Sequence, residues 1–242
     1  MALSRIRLDR FISKQASISR GDVRLLLAQK RIRVDGKFSS QIDEIVDRFS
    51  VVELDNKIIQ NNKPCYIMVH KPVGIISATK DKQHKTVIDL LKSSSLVSAD
   101  ICDSLHIVGR LDLNTSGLIL LTNDSRWSNY LTSPENKVVK KYRVTLANQL
   151  STDYIKSFEQ GMYFSYENIT TKPARLEIVS DYVAEIYLTE GRYHQIKRMF
   201  GRFRNPVVKL HRISIGKLSL STDLLLGDSR LLTDEEVEKI KG

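Results

Sequence analysis

The stretch His106-Ile107-Val108-Gly109-Arg110-Leu111-Asp112-Leu113-Asn114-Thr115-Ser116-Gly117-Leu118-Ile119-Leu120-Leu121-Thr122-Asn123-Asp124 sets a polar loop against a buried run. Leu118 to Thr122 is short and apolar, which reads as an interior strand. In the loop ahead of it, Asp112 and Asn114 have the chemistry of Asx-turn hydrogen bonds, and Gly117 suits a backbone angle that other residues avoid. On these residues alone a structural turn and a functional loop are equally open readings.

Working outward, Tyr142, Val144 and Leu146 alternate with polar or charged residues, and Val183 to Thr189 is a second β-like stretch. Helical periodicity returns at Ile196, Met199 and Phe200. Upstream, Tyr66 to Val69 reads as a strand, Lys71-Pro72-Val73-Gly74 as a turn, and Thr86 to Leu91 as the start of a helix. Strands and helices without regular βα alternation predict an α+β fold. Nearer the start, Leu8, Phe11 and Ile12 make the apolar stripe of a helix whose opposite face carries Arg7, Arg10 and Lys14. Ser19 and Asp22 then form a capping-box signature ahead of Val23, Leu26 and Leu27. Ile32 and Val34 lead into an Asp35-Gly36 hairpin turn. Val51 to Leu54 closes this unit, and Asp55-Asn56-Lys57 with Gln60-Asn61-Asn62-Lys63-Pro64 reads as a linker. The expected division is a domain over residues 1–60 and another over 61–242.

Charge narrows the function classes. The chain's 38 Lys and Arg against 28 Asp and Glu give +10, spread along its length, which favours a polyanionic partner. Cys65 and Cys102 have no paired spacing, so neither a metal site nor a disulfide framework is expected. The start Met1-Ala2-Leu3-Ser4-Arg5 runs straight into a charged amphipathic stretch, and no apolar run approaches the roughly 18 residues that span a bilayer. A soluble, cytoplasmic protein without cofactor is the expectation. Arg7, Arg10, Lys14, Arg20, Arg24, Lys30, Arg31 and Arg33 supply cations to outer faces of the first unit. Six or more phosphate contacts there would cost about 10³–10⁵ in affinity between 50 and 200 mM salt. A solvated helical face is the competing reading.

The ordered motifs go further than any single residue. Gly109-Arg110-Leu111-Asp112, then Thr115, Gly117 and a hydrophobic strand ending Thr122-Asn123-Asp124 resemble the signature of pseudouridine synthases, in the ribosomal RNA branch called RsuA/RluB. The resemblance runs nearly end to end, through Lys71-Pro72 with Gly74 and Ser77, Thr86-Val87, Ser133-Pro134, Lys140 with Tyr142, Thr171-Lys172-Pro173-Ala174, and Glu190-Gly191-Arg192-Tyr193-His194-Gln195-Ile196-Lys197-Arg198-Met199. Arg126-Trp127-Ser128, Leu131 to Pro134 and Leu176-Glu177 are similar to the small-subunit (16S) enzymes of the branch. The first unit resembles the S4-like RNA-binding domain, which reads RNA shape and backbone.

The resemblance implies a second domain built on a mixed, largely antiparallel sheet and an isomerisation of uridine in ribosomal RNA, naked or in a partly assembled small subunit, by a monomer. The C1′–N1 bond breaks, the uracil turns, and it rejoins through C5, with no cofactor and no metal. Asp112 is then the nucleophile at the sugar, or the base that removes the C2′ proton, ionised in a largely dry pocket. Burial opposes ionisation and a cation within about 4–6 Å favours it, a place that Lys197 matches. Arg110 resembles a residue that holds the opened strand. Tyr142 matches the tyrosine stacked under the flipped base, and Ile196 the apolar residue against its ring. Without the family pattern, Tyr142 and Ile196 read as core. Base flipping costs a few kcal/mol.

Val139, where the family is often acidic, Lys141, and the basic loop Gly201 to Pro206 depart from the pattern. Three other functions compete: a large-subunit (23S) synthase, an RNA-binding ribosome-assembly factor without turnover, and a metal-dependent hydrolase using Asp112 and Asp124. The last has no recognisable ligand cluster, since His70, His84, His106, His194 and His211 are scattered.

Overall fold

Leu8, Phe11 and Ile12 are the buried stripe of the first helix, α1 (Leu8–Ala16), which ends at Ser17 in the left-handed region. Strand β1 (Ile6–Arg7) precedes it, so Arg7 stands on a strand and not on the helical face the sequence suggested. The Ser19–Asp22 capping box opens α2 (Arg20–Ala28), whose Val23, Leu26 and Leu27 turn inward. Asp35 and Gly36, both at positive φ, join β2 (Ile32–Val34) to β3 (Lys37–Phe38) in the twist a two-residue hairpin needs. β4 (Ile45–Val46) pairs with β1, and β5 (Val52–Leu54) with β2. Asp55 and Asn56 are a second positive-φ turn, leading into β6 (Lys57–Gln60) antiparallel to β5. Lys57 and Gln60, expected in a linker, are therefore the two ends of a hairpin strand. Its apolar residues, Ile58 and Ile59, are adjacent, so no alternation announced it. Leu8, Ile12, Val23, Ile32, Val46 and Val52 are fully buried in one core, each worth about 1.5–3 kcal/mol.

The structure is a computed structural model and describes residues 5–240; Met1 to Ser4 of the expected amino terminus lie outside the described residues. The elements above belong to one unit, which runs to Pro64 and takes in Asp124–Arg126; Cys65–Asn123 and Trp127 onward form the other.

The second unit is assembled from β7 (Tyr66–Lys71), α3 (Val87–Ser94), α4 (Ala99–Ser104), β8 (His106–Val108), β9 (Ser116–Thr122), α5 (Ser125–Thr132) from Trp127 on, and β10 (Lys140–Leu146). There follow α6 (Asp153–Gln160), β11 (Tyr163–Phe164), β12 (Ile169–Thr170), β13 (Arg175–Ser180), β14 (Val183–Leu188), α7 (Gln195–Gly201), β15 (Val207–Ile215), β16 (Leu218–Ser219), β17 (Ser229–Leu231) and α8 (Asp234–Lys239). The main sheet runs β13-β14-β10-β15-β9-β7-β17, with β8 and β16 added to β9 and β15. β15 and β9 are parallel, and the other pairs are antiparallel. The fold is thus α+β on a mixed, largely antiparallel sheet.

Helices cover this sheet with three apolar clusters. Val144, Phe158, Ile186, Met199 and Phe200 lie in one, Ile67, Leu91, Ile119 and Leu121 in a second, and Leu118, Leu120, Trp127 and Ile215 in a third. β7 occupies one edge of β9 along its length. On the other edge β15 pairs only at Ser116 and Gly117, and β8 pairs from Leu120 to Thr122. That handover releases the loop of residues 109–115 beside the middle of the sheet.

Candidate active site

Four anchors fix the loop that carries Asp112. Arg212 Nη2 donates to Gly109 O at 2.7 Å, and Ser77 Oγ bonds both Leu111 N at 3.0 Å and Leu111 O at 2.6 Å. Gly74 N donates to Leu113 O at 2.9 Å, and Lys71 Nζ to Thr115 O at 2.8 Å. Thr115 N closes the turn on Asp112 O at 3.1 Å. Gly117 makes this packing feasible: its φ is +111°, and a Cβ there would meet Arg212 O at 2.3 Å. The two strands that carry Gly117 and Arg212 approach too closely for any side chain between them.

The carboxylate opens into a cavity of about 600 Å³. Lys197 Nζ lies 3.6 Å from Asp112 Oδ2, and His194 Nε2 lies 3.6 Å from Oδ1. The carboxylate is 31% exposed, so the largely dry pocket expected from the sequence is a half-open one. Ile196 is buried yet lines the cavity, so it serves as core and as wall at once. Tyr142, on β10, lines the same cavity, and its hydroxyl accepts from Arg212 Nη1 at 3.3 Å. Arg110 is exposed at the cavity. Asp112, Tyr142, Lys197, Ile196 and Arg110 therefore converge from separate parts of the chain.

Three cations of this site were given no role in the sequence reading. Arg212, 2% exposed, spends its guanidinium on Leu118 O, Gly109 O and Tyr142. Burial lowers the Lys71 ammonium to about pKa 8, against the attraction of Asp112 and with the repulsion of Arg212. Burial likewise lowers Lys140 to about 8, and Arg212 adds to it. A signal existed for Arg212: in β15 it stands in phase with Leu210, a charge on an inward face. Lys141, expected beside Tyr142, points to the opposite face of the strand, where it pairs with Glu185 at 2.6 Å and lies over Tyr187.

In the first unit, Asp9 is fully buried. Burial pushes its carboxyl up, but hydrogen bonds from Arg20, Arg7 and the Arg10 amide outweigh that and bring it to about 2. Arg31 holds Asp55 through two bonds of 2.5 and 2.7 Å, and Arg33 lies 3.8 Å from Glu53 and over Phe38. Arg7, Arg20, Arg31 and Arg33 are thus engaged within the protein. Arg10, Lys14 and Arg24 are exposed, with no acid within 4.0 Å among the described residues. No group of three or more His, Cys, Asp or Glu able to hold a metal occurs among the described residues, and no described helix is long and apolar enough to cross a membrane. Cys65 and Cys102 are free and buried.

Comparison with known proteins defines the class: residues 65–201 match the RNA pseudouridylate synthase family, and the chain belongs to that family. Within it, the chain is 44% identical to "Ribosomal small subunit pseudouridine synthase A" of Pseudomonas aeruginosa, covering 96% of this chain and 99% of that protein. The protein of the same name in Escherichia coli (strain K12) is 36% identical, with 97% and 100% covered. A solved structure described as "Crystal structure of pseudouridylate synthase" superposes with a TM-score of 0.69 at 33% identity, covering 97% of this chain and 99% of that one.

Proposed function

We propose that the protein converts one uridine of small-subunit (16S) ribosomal RNA to pseudouridine, with Asp112 as the group that acts on the sugar. The observation that carries this reading is the Asp112 carboxylate held 3.6 Å from Lys197 in a cavity walled by Tyr142 and Ile196. The names of the full-length relatives supply the substrate class.

The chemistry follows from the placement. Lys197 sets a positive charge 3.6 Å from the Asp112 carboxylate, which attacks C1′ or removes the C2′ proton while the C1′–N1 bond breaks. Tyr142 lies under the detached ring and Ile196 packs against it, which confines the uracil while it turns. The C1′–C5 bond forms, C5 loses its proton and N1 gains one, so the reaction balances without cofactor or metal. Arg110 contacts the opened strand at the cavity mouth. The first unit acts as an S4-like RNA-binding domain over residues 1–60, with Arg10, Lys14 and Arg24 free for phosphates and Arg7, Arg20, Arg31 and Arg33 held by acids of the same unit. The second domain, 61–242, carries catalysis. The partner is ribosomal RNA, naked or in a partly assembled small subunit, and the protein acts as a cytoplasmic monomer.

Site-resolved pseudouridine mapping of both ribosomal RNAs tests this, in cells with the wild-type gene, a deletion, or Asp112→Ala. The expected result is loss of one small-subunit site in both altered strains. Loss of a large-subunit site would overturn the substrate assignment, and an unchanged map the activity.

A further inference from the structure

Tyr193 is an exposed aromatic on the lip of the catalytic cavity, and its surroundings are those of a built platform. The residue is 75% exposed. One ring face is stacked on His194, with centroids 3.9 Å apart and planes within 19°. The exposed face is therefore the opposite one. His194 in turn lies 3.6 Å from the Asp112 carboxylate, so the free face of Tyr193 begins one ring thickness beyond the group that contacts the proposed nucleophile.

The segment bearing the platform is braced from below. Glu190 is buried, and its Oε1 accepts from Lys172 N and from Gln195 Nε2, each at 2.8 Å. Its Oε2 accepts from Arg192 Nε at 3.1 Å, and Gln195 Oε1 accepts from Arg192 N at 3.0 Å. Residues on both sides of Tyr193 are thus tied to one buried carboxylate, and His194 is held at a φ of +49°. A rigid exposed ring pays little ordering entropy when a second flat group stacks on it. Arg192, its neighbour in the chain, and Arg110 are exposed cations that line the same cavity.

We propose that the free face of Tyr193 stacks an unpaired base of the RNA next to the uridine that enters the cavity. Flipping one nucleotide breaks its stacking with its neighbour, and an aromatic surface at the mouth of the cavity replaces the lost partner. Tyr193 is then a substrate-binding residue outside the reacting atoms, and it acts on RNA affinity. This inference rests on the uridine-isomerising reading given above.

The test uses the full chain with Tyr193→Phe, Tyr193→Leu and Tyr193→Ala. Single-turnover tritium release from 5-tritiated small-subunit ribosomal RNA is followed against enzyme concentration, and filter binding of the same RNA is measured in parallel. Base stacking predicts that Leu and Ala raise the half-saturating concentration about tenfold, and that Phe restores it to within about twofold. The loss falls on half-saturation and not on the rate at saturating enzyme. Equal behaviour of Phe and Ala, or a loss confined to the saturating rate, would overturn the platform. A wild-type protein that binds this RNA without releasing tritium would overturn the isomerase reading, while the filter-binding ratios would still decide the role of Tyr193.

Discussion

Lys140→Met removes a buried cation that the fold holds at a cost. Lys140 is 7% exposed, lines the cavity, and has no acid within 4.0 Å among the described residues. Burial first, and Arg212 second, lower its pKa from 10.5 to about 8. The folded state therefore binds fewer protons than the unfolded chain between these values, and stability rises with pH across that window. The drop from 10.5 to about 8 corresponds to about 3 kcal/mol lost at pH 7, where both states are protonated. By the same relation the cost falls to about 2 kcal/mol at pH 9 and below about 0.5 kcal/mol at pH 10.5. Methionine fills similar volume without the charge, so the variant gains that amount at pH 7 and the two stabilities converge by pH 10.5. Urea unfolding at a series of pH values measures this, followed by the fluorescence of Trp127, the chain's one tryptophan, buried in the same unit. Comparing variant with wild type at each pH cancels the other groups that titrate in the same range, Lys71 among them. A stability difference that does not change with pH, or a wild type more stable at pH 7, would refute the argument. A gain in stability accompanied by loss of turnover would fit a charge retained for RNA.

Two other perturbations test separate parts of the structure. Gly117→Ala places a Cβ 2.3 Å from Arg212 O at a φ of +111°, and is expected to cost about 3 kcal/mol or more, read by the same urea titration. A near-neutral result would mean that β9 and β15 separate readily. Replacing Arg10, Lys14 and Arg24 together by Ala should reduce the slope of log affinity against log salt by about 2, whereas Arg31→Ala, which removes a partner of Asp55, should leave it nearly unchanged. Equal effects from both variants would show that the internal ion pairs open to reach phosphate.

What sequence by itself determined here is local or patterned. The Ser19 capping box, the helix start at Thr86, the Asp35-Gly36 turn and the strand at Leu118 to Thr122 depend on residues a few positions apart, and each forms where the sequence placed it. Membership of the pseudouridine synthases was legible too, because the ordered motifs span almost the whole chain. Tertiary structure decided the rest. Lys57 to Gln60 became a strand because β5 offered it an edge, although its own pattern did not alternate. Asp9 reads as one more surface charge until Arg7 and Arg20 close over it. Arg212 and Lys71 are buried because backbone carbonyls of the Asp112 loop wait there, and only the pairing of β15 and β7 with β9 brings those partners within reach. The 3.6 Å approach of Lys197 to Asp112 likewise joins α7 to the β8–β9 loop. Burial and charge pairing depend on neighbours distant in the chain, and those neighbours exist only once the sheet order is set.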